Sequence, residues 1–299
     1  MDWLVNRGVE FWSWAESVAD VRTKHWFLIP SPYPSYTIAI VYLLGVWYGP
    51  KIMENYKPFK LNRIMVTYNA CLILLNAFVF KEFLMSTVFN PDFDVFCNKV
   101  DYSNDPQAIR LANATWWFFF SKIIELTDTV FFILRKKHTQ ISFLHVYHHS
   151  TMVMLWWVGV RWVAGGNSYM CATVNTFIHV VMYGYYLLSA CGPAVRKHLW
   201  WKKYLTSLQL AQFVFILMHT LNTLRVGCDV RHRPYMITLT FYLISHIVLF
   251  ADFFRKTYIT KKLPKAEQNG HSNGTNYTET HNGNYNLRER PRQSSRKDN

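Results

Sequence analysis

YMITLTFYLISHIVLFADFF, residues 235–254, decides the class of this chain. It is 20 residues long and apolar almost throughout, with its one carboxylate, Asp252, close to its end. About 20 such residues in a helix cross the ~30 Å hydrocarbon core of a bilayer. Six further stretches have the same character, at 36–53, 65–85, 111–134, 144–163, 168–191 and 204–224. Aromatic residues crowd their ends, as suits side chains with an apolar body and a polar tip at the membrane interface. Two of the stretches are weak by hydropathy alone. The 111–134 stretch holds Lys122, Glu125 and Asp128, and the 144–163 stretch begins with three histidines. The reading is an all-α membrane protein with seven transmembrane helices.

Bulk numbers conceal this pattern. The chain has 299 residues, is 51% hydrophobic and 17% aromatic, and has a formal net charge of +14. Its mean hydropathy of +0.00 resembles that of a soluble protein. The average is neutral because polar residues are segregated: residues 255–299 carry 10 Lys and Arg against 4 Asp and Glu. A small soluble domain, a disordered protein and a disulfide-dense secreted scaffold are all excluded, the last because there are only 5 Cys. Residues 1–30 contain charges but no long apolar run, so no cleaved signal peptide is predicted.

Loop charge predicts orientation. One side would hold 16 Lys and Arg in segments 51–63, 135–137, 196–203 and 255–265. The other would hold 9, in 1–32, 88–110, 161–168 and 225–234. The positive-inside rule puts the richer side, and the C-terminus, in the cytosol, and the N-terminus in the lumen. The 225–234 loop, with Arg231 and Arg233, pulls the other way. The predicted organisation is a lumenal segment over 1–35, a seven-helix domain over 36–258 and a disordered cytosolic tail over 259–299, rich in Asn, Gly, Ser and Thr. The tail ends Arg296-Lys297-Asp298-Asn299, either a dilysine-type retrieval signal for the endoplasmic reticulum or an ordinary basic end. Cys97 and Cys228 both fall in predicted lumenal loops, an oxidising compartment, and are expected to pair as a disulfide. Sequons at Asn113, Asn273 and Asn276 lie at a membrane boundary or in the tail, and none is expected to carry glycan.

Ionisable groups inside spans cost at least ~2.5–3.5 kcal/mol each at mid-bilayer, so their placement is informative. His145, His148 and His149 stand at i, i+3 and i+4, on one helical face. Asn175, His179 and Tyr183 form a second stripe at i, i+4 and i+8. Lys122, Glu125 and Asp128 step by three; they either serve a reaction or only hold helices together by ion pairs. Gln209 and Gln212 either bridge helices or meet a ligand. Clustered His in a membrane suggests a metal centre or imidazole chemistry. A diiron site needs about eight His in several boxes; here His219 and His246 are isolated and only four others are well placed. Three or four ligands would still suffice for a single metal. Imidazole itself can act as nucleophile, acid or base near neutral pH. Arg135, Lys137 and Lys202 could then hold an anionic substrate. Seven spans with an outside N-terminus is also receptor topology, but the polar residues cluster toward the cytosolic edge.

Lys122-x-x-Glu125-x-x-Asp128-Thr129, His145-x-x-His148-His149, His179-x-x-Met182-Tyr183 and Gln209-x-x-Gln212 together resemble the motif set of the ELOVL family, the very-long-chain fatty acid elongases. The resemblance covers roughly residues 10–260. The stretches 100–104, 135–137 and 162–166 look most like the branch acting on very-long-chain and polyunsaturated acyl chains. The resemblance implies a 3-ketoacyl-CoA synthase of the endoplasmic reticulum membrane that condenses malonyl-CoA with a long acyl-CoA and needs no cofactor or metal. It implies six helices in a barrel around an acyl-chain tunnel, with the first helix outside. By position His148 would be the nucleophile, His179 would position the reacting carbonyl, and His145, Lys122 and Asn175 would line the site. Arg135, Lys137, Gln140, Tyr183, Lys202, Thr206 and Gln209 would contact substrate, while Glu125, Asp128, His149 and Gln212 would be structural. Decarboxylation of malonyl-CoA leaves an enolate that needs a donor or cation; Lys122 and His145 both qualify. Implied partners are the ketoacyl reductase, dehydratase and enoyl reductase of the cycle, and a second copy of the chain; nucleic acid is not among them.

Overall fold

A computed structural model of the chain describes residues 2–260, so the tail reading, the Arg296–Asn299 sequence and the sequons at Asn273 and Asn276 lie outside the described residues. Every regular element among those residues is helical: α1 (Asp2–Ser17), α2 (Pro32–Ile52), α3 (Asn62–Ser86), α4 (Pro106–Glu125), α5 (Thr127–Leu134), α6 (Phe143–Trp162), α7 (Tyr169–Ala190), α8 (Pro193–Arg196), α9 (Lys202–Val226) and α10 (Arg233–Phe254). Helix covers each of the seven apolar stretches. The 111–134 stretch is two helices rather than one. At Leu126 the hydrogen bonding tightens: its N–H donates to Ile123 O (3.3 Å), and Leu126 O accepts from Thr129 N–H (3.2 Å).

Local chemistry starts these helices where they are needed. Ser31 caps α2, Asp105 caps α4 through the Gln107 and Ala108 N–H groups, and Ser142 caps α6 through the His145 N–H. Pro32 and Pro106 occupy first-turn positions that need no N–H donor. Gly227, in the left-handed region at φ 73°, ends α9.

The long helices meet in a cyclic order. α3 packs on α4, α4 on α6, α6 on α10, α10 on α9, α9 on α7, and α7 returns to α3. α2 stands beside this ring, against α5 and α6. Between the helices lies an apolar core that includes Phe118, Trp156, Val153, Phe213 and Leu239. Outward faces are apolar too. On α10 the exposed Ile237, Phe241, Ile244 and Val248 recur at helical spacing, and α2 shows Ile40, Val41, Leu44 and Trp47 in the same way. Apolar stripes of this extent belong in lipid rather than water. α3, α9 and the helical run Arg233–Ile259 are long and apolar enough to cross a membrane. The protein is embedded in a membrane.

One end of the bundle is closed by its loops. Cys97 and Cys228 are joined by a disulfide with a Cα–Cα distance of 5.2 Å. Asn98 N–H donates to Asn167 Oδ1 (2.9 Å), and Tyr102 meets His232 Nε2 (2.7 Å). His232 Nδ1 in turn faces Asp229 (2.7 Å). Burial pushes the Asp229 carboxyl up, but the hydrogen bond and charge of His232 outweigh it and hold the group below its usual range. The N-terminal segment, read from sequence as separate, belongs to this closure. Thr23 donates to Val160 O (2.8 Å), Trp157 Nε1 to Leu28 O (3.0 Å) and Trp162 Nε1 to Ala15 O (2.7 Å), and Arg161 pairs with Glu16. The Thr23 hydroxyl and the Asp20 N–H, which donates to Arg161 O (3.0 Å), use orphan carbonyls at the end of α6, while the Trp157 and Trp162 side chains of α6 donate to carbonyls of the segment.

Gly166 shows how tight the closure is. It sits at φ 54°, and a Cβ there would stand 2.9 Å from Val100 Cγ2 and 3.0 Å from the Val100 backbone N. Gly166→Ala is expected to lower stability by roughly 1–3 kcal/mol, the cost of a non-glycine residue in strained backbone. Thermal unfolding in detergent checks this; an unchanged midpoint would contradict it.

Candidate active site

The three α6 histidines are held as a set. The ring centroids of His145 and His149 lie 4.3 Å apart, and those of His148 and His149 lie 5.3 Å apart and nearly perpendicular. His149 is buried, whereas His145 and His148 keep part of their surface accessible. No hydrogen bond to the His148 ring exists among the described residues. Its other close aromatic neighbour is His246 of α10, 5.3 Å between centroids. His246 is fully buried, its Nδ1 lies 2.9 Å from Tyr242 O, and its Nε2 has no partner among the described residues. A carbonyl only accepts, so the proton is on Nδ1 and Nε2 carries a free lone pair.

A second cluster joins α4 and α7. Lys122 Nζ donates to both Glu125 oxygens (2.9 and 3.1 Å) and lies 3.2 Å from His179 Nδ1. His179 Nδ1 is also 3.0 Å from Glu125 Oε1. Two hydrogen-bond patterns are therefore open to His179. With Nδ1 protonated it donates to Glu125 and Nε2 is a base; with Nδ1 bare it accepts from Lys122 and Nε2–H is a donor. The Phe118 ring, 4.6 Å from Nζ, closes the remaining side of the ammonium. Asp128 is outside this pair. It accepts from the Tyr183 hydroxyl (2.8 Å), and Tyr68 stacks edge-on against Tyr183. Tyr183, expected at the substrate, is fully buried and spends its hydroxyl on Asp128.

Helix register brings the clusters to one level. α4–α5 and α6 run antiparallel: Phe118 touches Trp156 (4.5 Å between centroids) and Thr129 bonds His145 (2.8 Å). Between those contacts, Glu125 falls level with His149. α7 runs parallel to α4–α5, because Lys122 meets His179 and Asp128 meets Tyr183. His179 thus stands at the height of His148 and His149.

The remaining candidates are divided. Lys137, Gln140 and Lys202 are exposed near the ends of α5, α6 and α9 that lie opposite the disulfide. Arg135 is partly buried there, its Nη1 2.9 Å from Met65 Sδ. Thr206 shares its hydroxyl with Tyr258 (3.3 Å), and Gln209 Nε2 lies 3.3 Å from Met182 Sδ. Asn175 Oδ1 and Gln212 Oε1 are buried without partners, acceptors facing the interior. Among the described residues, no group of three or more His, Cys, Asp or Glu is arranged to hold a metal ion.

Sequence reasoning did not single out Tyr42 or Tyr68, gave Thr129 only as the end of a motif with no role, and left His246 isolated. The signal for His246 was its place in a span, where an ionisable group is costly. Tyr42 and Tyr68 carry no such signal, since each is one tyrosine among 18.

Comparison with known proteins adds an independent line. A family model described as ELO, the GNS1/SUR4 family, matches residues 27–266. The human protein named very long chain fatty acid elongase 4 is 48% identical over 262 residues, covering 88% of this chain and 83% of that one. Very long chain fatty acid elongase 7 of Rattus norvegicus is 42% identical, covering 89% and 96%. Very long chain fatty acid elongase 5 of Tachysurus fulvidraco is 42% identical, covering 90% and 93%.

Proposed function

Because the chain belongs to the ELO, or GNS1/SUR4, family, we propose that it joins malonyl-CoA to a long or very-long-chain acyl-CoA through an acyl-imidazole on His148. It is a transferase of fatty acid biosynthesis, a 3-oxoacyl-CoA synthase. The observation that carries the mechanism is the levelling of His148, His149 and His179 between α4, α6 and α7. Among the described residues neither His148 nor His149 has a side-chain hydrogen bond, and of the two only His148 keeps accessible surface, which a nucleophile needs to meet its substrate.

In the proposed reaction a His148 nitrogen attacks the thioester carbonyl. The C–S bond breaks, CoA leaves as its thiol with the imidazole proton, and the acyl group stays on His148. Malonyl-CoA then loses CO2, and the resulting α-carbon attacks the acyl carbonyl. The C–N bond breaks, the leaving imidazole nitrogen takes up a proton from water so that His148 is regenerated, and the 3-ketoacyl-CoA is two carbons longer. His179, addressed by both Lys122 and Glu125, positions the reacting carbonyl.

The architecture proposed is seven transmembrane helices, six of them the ring α3–α4–α6–α10–α9–α7 around an acyl tunnel, in a domain spanning 36–258. The cyclic packing and outward apolar stripes support it. The basic end with Lys137 and Lys202 would face the cytosol and receive the anionic CoA, and the disulfide-bearing end would face the lumen of the endoplasmic reticulum. Polyunsaturated acyl chains are the favoured substrates in this reading, and the product passes to a ketoacyl reductase, a dehydratase and an enoyl reductase. Yeast expressing the chain and fed a panel of saturated and polyunsaturated acids should accumulate products two carbons longer. Purified chain should incorporate labelled malonyl-CoA carbon into 3-ketoacyl-CoA with release of CO2. A chain that consumes no malonyl-CoA with any acyl-CoA of the panel would overturn the proposal.

A further inference from the structure

Decarboxylation of malonyl-CoA places negative charge on the thioester oxygen, and that oxygen must meet a donor. Lys122 and His145 are the two residues of suitable chemistry, and the geometry separates them. The Lys122 ammonium is 1% exposed and enclosed by both Glu125 oxygens, His179 Nδ1 and the Phe118 ring. It has no direction left from which to meet a substrate. His145 is different. It keeps accessible surface, and its one side-chain hydrogen bond is at Nε2, to Thr129 Oγ1 (2.8 Å).

The direction of that bond follows from its neighbours. Thr129 is 1% exposed, and its hydroxyl has two partners, His145 Nε2 and the Tyr42 hydroxyl at 3.1 Å. Among the described residues the Tyr42 hydroxyl has Thr129 as its only partner. A buried phenol donates its proton where an acceptor exists, so Tyr42 donates to Thr129 Oγ1. The Thr129 hydrogen is then left for the one acceptor remaining, Nε2 of His145. In the neutral ring the imidazole proton is therefore on Nδ1, the nitrogen that no protein acceptor meets.

We propose that Tyr42 and Thr129 are positioning residues that fix His145 as its Nδ1–H tautomer, and that this N–H is the donor that stabilises the malonyl-derived enolate. The inference rests on the condensing activity proposed above. It gives α2, a helix beside the ring, a task in the reaction: it supplies the first hydroxyl of a relay that ends on a ring nitrogen. Reversing the relay would place the His145 proton on Nε2, against Thr129, and leave the substrate oxygen facing a lone pair. Consecutive hydrogen bonds pointing one way also polarise one another.

The two half-reactions separate this inference from the activity it rests on. Acylation of the enzyme is read by intact mass after incubation with acyl-CoA alone, and condensation by turnover with malonyl-CoA. In Thr129→Val and His145→Ala the acyl-enzyme should form while condensation turnover falls, by about 10–100-fold for the positioning residue and by about 10^2–10^3-fold for the donor itself. The KM for acyl-CoA should change little. Thr129→Ser keeps the hydroxyl and should recover turnover to within about 3-fold of the parent, while Tyr42→Phe should show an intermediate loss. Thr129→Ser and Tyr42→Phe decide the matter if Thr129→Val does not fold. Parent-like condensation in Thr129→Val or His145→Ala would overturn the inference while leaving the condensing activity intact. So would a Thr129→Ser variant that folds but stays as slow as Thr129→Val, or a loss confined to acylation. No acyl-enzyme and no turnover in the parent chain would instead overturn the proposed function.

Discussion

Replacing His148 with alanine is expected to abolish condensation, with turnover falling roughly 10^4–10^6-fold, as when a nucleophile that works as part of a unit is removed. The fold should survive. Among the described residues the His148 ring makes no hydrogen bond, so alanine orphans no buried partner; His246 keeps its bond to Tyr242 O, and His149 keeps its contact with His145. The measurement is turnover with malonyl-CoA and acyl-CoA, beside a thermal unfolding curve and intact mass after acyl-CoA alone. The parent should gain the mass of the acyl group, located on His148 by peptide mapping, and the variant should not. An acyl adduct mapped to another residue, or condensation retained in the variant, would remove His148 from the role of nucleophile.

The largest effect on stability is expected from Glu125→Ala. Glu125 is 0% exposed and accepts both bonds from Lys122. Truncation leaves an ammonium buried without a counter-charge, at a cost of about 3–5 kcal/mol. That is a large part of the marginal stability of most folded domains, so the variant should accumulate poorly or melt much earlier. Glu125→Gln keeps an acceptor and should lose less. Removing both charges, as Lys122→Met with Glu125→Leu, should restore much of the lost stability, since an apolar pair of similar volume replaces a buried ion pair at little cost. Activity should not return with it, because His179 would then have lost both hydrogen-bond partners at Nδ1. A Glu125→Ala protein as stable as the parent would show that the buried charge has a compensation other than this pair.

Local patterns made much of this legible in the sequence. The apolar stretches were readable because length and helical spacing are local properties, and helices formed over all seven. The stripes of His145, His148 and His149, and of Asn175, His179 and Tyr183, were readable for the same reason. Pairings between helices were not. Tyr183 was read toward the substrate, yet it bonds Asp128, because the parallel register of α7 and α4–α5 is a tertiary fact. His246 was isolated in the sequence and lies against His148 because α10 packs beside α6. Tyr42 meets Thr129 across 87 positions, with no periodicity to announce it. The helix α1 and the contacts of the segment following it were not legible either: they are too polar and short to register as a span, and the segment is fixed by the Val160 and Arg161 carbonyls and by the Trp157, Arg161 and Trp162 side chains at the end of α6.

The order of the ring and the order of the chain differ, and this governs biogenesis. α10 is the last of the ring helices to be synthesised, yet it stands between α6 and α9. Until it leaves the ribosome, the side of α6 near Tyr147 and His148 lacks the neighbour that α10 supplies. A chain made only through α9 would thus present those side chains without Tyr242 and His246, the α10 groups that pack on them. A premature stop ahead of residue 233 would leave a chain that lacks α10, and with it the His246 ring that stands against His148.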